Sequence, residues 1–345
     1  MRFPKFIKPG DTIAVTALSR GMEEELEKIR FMSGKKALEE RGYKVIFTEN
    51  VFAGNDRFGR SSDAKEKARQ LNELIADPEV TAIYSAGGGD FLAEILPYVD
   101  IEAFKENPKW IQGFSDNTSI LYYLATKADV ATAYGANFGD FGMVPWEISV
   151  ERGIELLEGK QNVQTSFETY QDGFGKYETG LEGYRHDGTV EWKNLTGVKD
   201  GKISMDGRLI GGCMDVVMNI SGTPYDGTKE FIERYKDDGI IWYLESFDIH
   251  YEQLMEYFWK MKEMGWFEHT SGIIFGRPLF FPTEGFDGTP LPSYTDIIHE
   301  RLDSLNVPII FDADIGHKGP QFVMINGALA HIESKDGKGK CVLSL

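Results

Sequence analysis

The chain reads as an α/β protein, with a mostly parallel sheet flanked by helices in its N-terminal part and a smaller, β-rich α/β unit after it. Three observations lead there. β-rich runs alternate with helical runs from about residue 12 to about residue 124, the pattern of βαβ units with right-handed crossovers. A stretch from about Gly139 to Asp206, rich in Gly, Tyr, Glu and Thr, interrupts that alternation and has weak periodicity. Regular alternation then resumes and continues almost to the end. With 345 residues, the chain is long enough for two domains or one large α/β domain. We place the division at residues 1–165 and 166–345.

The elements follow in order. TIAVTAL is a short β-rich run, and MEEELEKIRFMSGKKALEERG has helical spacing of charges and apolar residues. KVIFTE is the next strand. SSDAKEKARQLNELIAD reads as a helix opened by Ser61 or Ser62. TAIYSA runs into Gly87-Gly88-Gly89 and the helix-like DFLAEILPYV. KWIQGF is a strand, and a helical pattern begins just after Ser115. Beyond the interruption, GRLIGGCMDVVMNISGT reads as a glycine-rich turn into a helix. GIIWYLES, SGIIFGRP and VPIIFDADIGH are strands separated by the helical HYEQLMEYFWKMKEMG and SYTDIIHERLDSL. FVMINGALAHIES reads as a hairpin turning at Asn326-Gly327.

Composition narrows the function classes. Hydrophobic residues make up 41% of the chain, enough for a substantial core. With 55 acidic against 37 basic residues, the net charge is −18, so phosphate backbones and anionic membranes are poor partners. The first residues carry proline and charges where a signal peptide needs an unbroken apolar core, and no run approaches membrane-spanning length. Cys213 and Cys341 are far apart with no metal-type spacing. These features predict a cytoplasmic protein with plain thiols. H-E-x-x-H and clustered Cys or His are missing, so no metal and no cofactor is expected.

Three residues share one address, the carboxyl end of an apolar strand: Ser115 after KWIQGF, Glu245 after IIWYL, and His317 after IIFDADIG. Ligand sites in parallel sheets lie beyond such ends. Taken singly, each has an ordinary role: a helix cap, a structural ion pair, a loop histidine. Taken together, they can form a serine nucleophile, a carboxylate and the base it orients. The order Ser…Glu…His is that of α/β-hydrolases, but G-F-S-D-N lacks the second glycine of their G-x-S-x-G turn. An acyl-transfer serine also needs donors for an oxyanion. Gly87-Gly88-Gly89 allows close backbone approach, and the N–H of Asp116 follows the serine at a helix start. The glycine run matches neither a P-loop nor a dinucleotide fingerprint.

PKWIQGFSDNTSILYYL, GRLIGGCMDVVMNISGTP, IIWYLES, GIIFGRP and DADIGHKGPQ together resemble the LD-carboxypeptidase family of serine peptidases over nearly the whole chain. The resemblance implies a Ser115–Glu245–His317 triad and oxyanion donors at Gly88 and Asp116. It also implies a flavodoxin- or amidotransferase-like N-terminal domain, a smaller C-terminal domain, a site in the groove between them, and a homodimer. Two branches compete. One trims terminal D-alanine from murein tetrapeptide. The other, the microcin C self-immunity branch, cuts the bond between an aminoacyl group and a nucleotide-like moiety. The turn Ser85-Ala86-Gly87-Gly88-Gly89-Asp90 lacks the arginine frequent in the murein branch, which favours the second. That branch stacks a loop aromatic on the nucleobase, and Trp192 is the candidate here, with a hydrophobic plug as its other reading. The expected partner is thus a small peptide or peptide–nucleotide substrate, and a catalytically silent binding protein is the remaining alternative.

Overall fold

The computed structural model describes all residues 1–345. Strands β1 (Thr12–Thr16), β2 (Lys44–Phe47), β3 (Val80–Ser85), β4 (Trp110–Gly113) and β5 (Thr132–Tyr134) come first. Then follow β6 (Val163–Thr165), β7 (Thr169–Tyr170), β8 (Gly188–Thr189) and β9 (Lys193–Thr196). β10 (Lys202–Cys213), β11 (Ile240–Glu245), β12 (Thr270–Gly276) and β13 (Ile309–Ala313) are succeeded by β14 (Met324–Asn326), β15 (Leu329–Lys335) and β16 (Lys338–Ser344). One sheet has the order β14-β5-β4-β3-β1-β2, parallel except for β14. The other has the order β6-β16-β15-β10-β11-β12-β13-β9, with a parallel centre from β10 to β13 and antiparallel flanks. The two-part α/β architecture is the expected one.

The parallel strands are apolar runs because both of their faces are covered. All six residues of β11 are buried, and Trp242 stacks on Trp266 with centroids 5.6 Å apart. The Ala64–Ala76 helix is capped one residue after Ser62 and two after Ser61. Asp63 is the cap, accepting from the Lys65 and Glu66 amides, because a carboxylate at that position satisfies two free N–H groups at once. Ser61 instead donates to Ala17 O.

Three stretches depart from expectation. GRLIGGC is the second half of the twelve-residue strand β10, which pairs with β15 through Arg208 and with β11 from Arg208 to Cys213. Its glycines serve close approach: a Cβ on Gly211 would lie 1.7 Å from Tyr243 O, and one on Gly212 would lie 2.6 Å from Thr118 Cγ2. MINGALAHIES is no hairpin, because β14 joins the first sheet and β15 the second. Asn326 is fully buried, with Oδ1 accepting from Gly211 N–H and Tyr243 O–H and Nδ2 donating to Thr132 Oγ1. Its amide therefore joins the two sheets. The hairpin lies between β15 and β16, where Asp336 and Gly337 both have positive φ, the twist a tight turn requires. DFLAEILPYV, finally, winds as a 3-10 helix over Leu92–Tyr98 that contains Pro97.

The 165/166 division is crossed in both directions, since β6 belongs to the second sheet and β14 to the first. One cluster of 90 buried apolar residues runs through both.

Gly211→Ala tests the tight contact in β10. The methyl meets the carbonyl of Tyr243, so β10 and β11 must move apart. A fall of about 3 °C or more in the thermal midpoint is expected, from overpacking of about 2 kcal/mol or more. Calorimetry of the purified variant measures it.

Candidate active site

Ser115 sits two residues beyond β4, at φ 66°, in the left-handed region that L-residues seldom occupy. Several bonds hold the turn there. Asn117 Nδ2 donates to Gly87 O (3.0 Å), Phe114 O (2.9 Å) and Asn137 Oδ1 (3.1 Å). Phe114 N–H donates to the same Asn137 oxygen. Buried Asp116 accepts from Ser19 Oγ at 2.6 Å and Leu92 N at 2.9 Å; burial raises its pKa, and these bonds oppose the rise. The glycine run thus docks onto the serine turn. A Cβ on Gly88 would be 3.1 Å from Ser115 Oγ and 3.9 Å from Asp116 N.

Glu245 ends β11, with its carboxylate almost completely buried. His317 lies on the segment that leaves β13 in the second sheet and enters β14 in the first. Its Nε2 is 2.9 Å from Ser115 Oγ, and its Nδ1 is 2.8 Å from Glu245 Oε2. The three residues singled out in the sequence are therefore joined by hydrogen bonds. Gly316, at φ 97°, makes room for the pair, since a Cβ there would lie 2.5 Å from Glu245 Oε2. The imidazole is held between Phe114 and Phe247, with centroids 5.1 and 5.0 Å away. Asp215 holds Phe247 in place by accepting from the amides of Phe247 and Asp248. Such an arrangement can deprotonate a serine hydroxyl and keep bulk water off the imidazole.

Sequence reasoning missed Asn117, Asn137 and Asp215. Asn117 lies two residues from Ser115 within the quoted motif, whereas Asn137 and Asp215 are brought in only by the fold.

Trp192 is elsewhere. It lies between β8 and β9, only 2% exposed, with Nε1 donating to buried Asp314 Oδ2 at 3.0 Å and its ring against Phe322. The stacking role expected for it is thereby corrected: the indole N–H is satisfied inside by a carboxylate, so the ring fills the core. Cys213 is also buried, and burial pushes its thiol well above the usual range, which makes it a poor nucleophile.

A cavity of ≈ 410 Å³ opens at His317, Gly88 and Phe114 and extends to Arg30, Asp140 and Tyr184. The segment 171–187, between β7 and β8, straps over it. Arg30 Nη1 donates to Gly180 O and Glu182 O, Tyr184 O–H donates to Asp140 at 2.7 Å, and Gln171 N–H donates to Gly319 O. The strap is thus tied to both sides of the cavity. Phe174, on the strap, is 59% exposed and touches Phe247 and Phe280.

The N-terminal domain of LD-carboxypeptidases matches residues 13–135, and their C-terminal domain matches residues 206–332. A putative carboxypeptidase of Vibrio cholerae is 30% identical over 314 residues, 88% of this chain and 87% of that protein. The Microcin C7 self-immunity protein MccF of Escherichia coli is 27% identical, over 94% of this chain and 91% of its own. A structure of MccF in complex with aspartyl sulfamoyl adenosine superposes with a TM-score of 0.77 at 25% identity, covering 99% and 98% of the two chains. Matched in both halves and along nearly its full length, the chain belongs to the LD-carboxypeptidase family of serine peptidases.

Proposed function

We propose that this serine peptidase uses Ser115, His317 and Glu245 to cleave the amide or acyl bond of a peptide–nucleotide, acting in the cytoplasm as a homodimer. The observation that carries the reading is the unbroken chain from Ser115 Oγ through both nitrogens of His317 to Glu245 Oε2. His317 Nε2 takes the hydroxyl proton as Ser115 Oγ bonds to the scissile carbonyl carbon. Glu245 accepts the Nδ1–H and stabilises the imidazolium. The N–H groups of Gly88 and Asp116 receive the developing oxyanion. The imidazolium then returns its proton to the leaving nitrogen, and a water deprotonated by His317 hydrolyses the acyl-serine. Support for the substrate class comes from the immunity protein's complex with aspartyl sulfamoyl adenosine. A second reading, removal of a terminal D-alanine from murein tetrapeptide, is favoured by the carboxypeptidase name of the Vibrio relative.

Incubating the protein with an aminoacyl sulfamoyl adenosine and with an L-Lys-D-Ala muropeptide, with products read by mass spectrometry, separates the two. Cleavage of the nucleotide conjugate is expected; cleavage of the muropeptide alone selects the second reading. Ser115→Ala should lower kcat by at least about a thousandfold with the fold intact, and Glu245→Gln should lower kcat more than it raises KM. A residual rate within tenfold of wild type removes Ser115 from the nucleophile role.

Phe174 takes the place vacated by Trp192, because it presents an exposed ring beside Phe247 and so close to His317. Base–aromatic stacking is worth about 1–3 kcal/mol. Phe174→Ala should therefore weaken kcat/KM for the nucleotide conjugate about tenfold and leave muropeptide turnover unchanged. Trp192→Phe should lower the thermal midpoint and change both substrates equally. Competition kinetics with the two substrates checks both expectations.

Catalysis by a triad with backbone oxyanion donors requires no metal ion. Dialysis against a strong chelator should leave the rate unchanged, and loss of activity restored by zinc contradicts the mechanism.

A further inference from the structure

The catalytic chain does not end at Glu245. Tyr134, the last residue of β5, is fully buried with its ring between Phe114 and Tyr243. Its hydroxyl donates to Glu245 Oε1, the carboxylate oxygen that His317 leaves free. The same hydroxyl accepts the N–H of Ser115 at 3.4 Å. With the bonds from His317 to Glu245 Oε2 and to Ser115 Oγ, a closed ring of hydrogen bonds forms: Ser115 N–H, Tyr134, Glu245, His317 and back to Ser115 Oγ.

We propose that Tyr134 is a positioning residue of this site, setting the carboxylate plane of Glu245 and the backbone of the serine turn through one hydroxyl. The inference rests on the triad reading above. Two features of the ring argue for it. Glu245 is buried, so an oxygen without a donor there is costly, and a free carboxylate rotates about its last bond. With both oxygens engaged, the rotation stops, and so does the swing of the imidazole it holds. Ser115 meanwhile keeps a positive φ, and the acceptor on its N–H comes from the residue that also orients Glu245. Burial and the adjacent Glu245 charge hold the phenol well above the usual tyrosine range, so it stays protonated and remains a donor.

Tyr134→Phe removes the hydroxyl and keeps the ring packed. A loss of about 10–100-fold in kcat with KM within twofold is expected. A side chain with only a packing role moves the thermal midpoint and leaves the rate per intact site unchanged. Rates are expressed per site labelled by a serine-directed organophosphonate, so a partly unfolded preparation still reports on Tyr134. If kcat and KM both match wild type while Ser115→Ala is inactive, Tyr134 has no positioning role. If Ser115→Ala stays active, the triad reading fails and the inference falls with it.

Discussion

His317 reaches Ser115 because residues 314–326 pass from one sheet to the other. Ser115 and Tyr134 follow or end strands of the first sheet, Glu245 ends a strand of the second, and His317 lies on the crossing between them. Any slip of the two sheets would alter the 2.9 and 2.8 Å separations on either side of the imidazole. The crossing is therefore fastened. Gln164 binds Val323 through both its amide oxygen and nitrogen, and Asn326 bonds to Thr132 on one side and to Gly211 and Tyr243 on the other. Buried amides with satisfied donors and acceptors fix a register more sharply than apolar contact does, since an unmade bond in the interior is expensive.

The same logic governs the serine turn. A non-glycine residue at φ 66° stores strain of order 1–3 kcal/mol and persists only where its surroundings dictate it. Asn117 ties the turn to the glycine run, Asn137 ties it to the segment after β5, and Asp116 ties it to Ser19 and the Leu92 amide. The nucleophile and oxyanion donors of the proposed mechanism are thereby set as one unit. Preorganisation of this kind avoids reorganising dipoles during the reaction, the main source of electrostatic catalysis.

What was legible in the sequence follows from period and position. Strands such as IIWYLE announce themselves by burial on both faces, and Ser115, Glu245 and His317 stand out because polar residues end such runs. Asn326-Gly327 misled because its local chemistry is that of a hairpin turn, while the side-chain amide was committed to partners 83 to 194 residues away in sequence, which no window detects. Ser61 and Ser62 misled for a smaller reason, since Asp63 next to them caps as well. Trp192 misled because exposure cannot be read where periodicity is weak, and its partner Asp314 lies far along the chain.

The elements to which the proposed function assigns catalysis and specificity also differ in how they are built. The residues around Ser115 hang on strand ends and buried bonds, so their positions are inherited from the sheets. The strap 171–187 instead depends on side chains reaching from elsewhere: Arg30 from the Glu25–Glu40 helix, Asp140 from the turn after β5, and Glu147 bonding Tyr184 N–H. Of these, Asp140 has its pKa raised by burial, with Arg30 working against the rise. Replacing strap residues leaves the sheets and their strand-end bonds untouched, so a change in the substrate that fits the cavity need not disturb the geometry at Ser115. Loops positioned by a rigid scaffold can diverge in this way while the chemistry is kept. Under the proposed function, the strap contacts the leaving group and the strand ends carry the hydrolytic centre, so such a chain can keep one centre and accept different leaving groups.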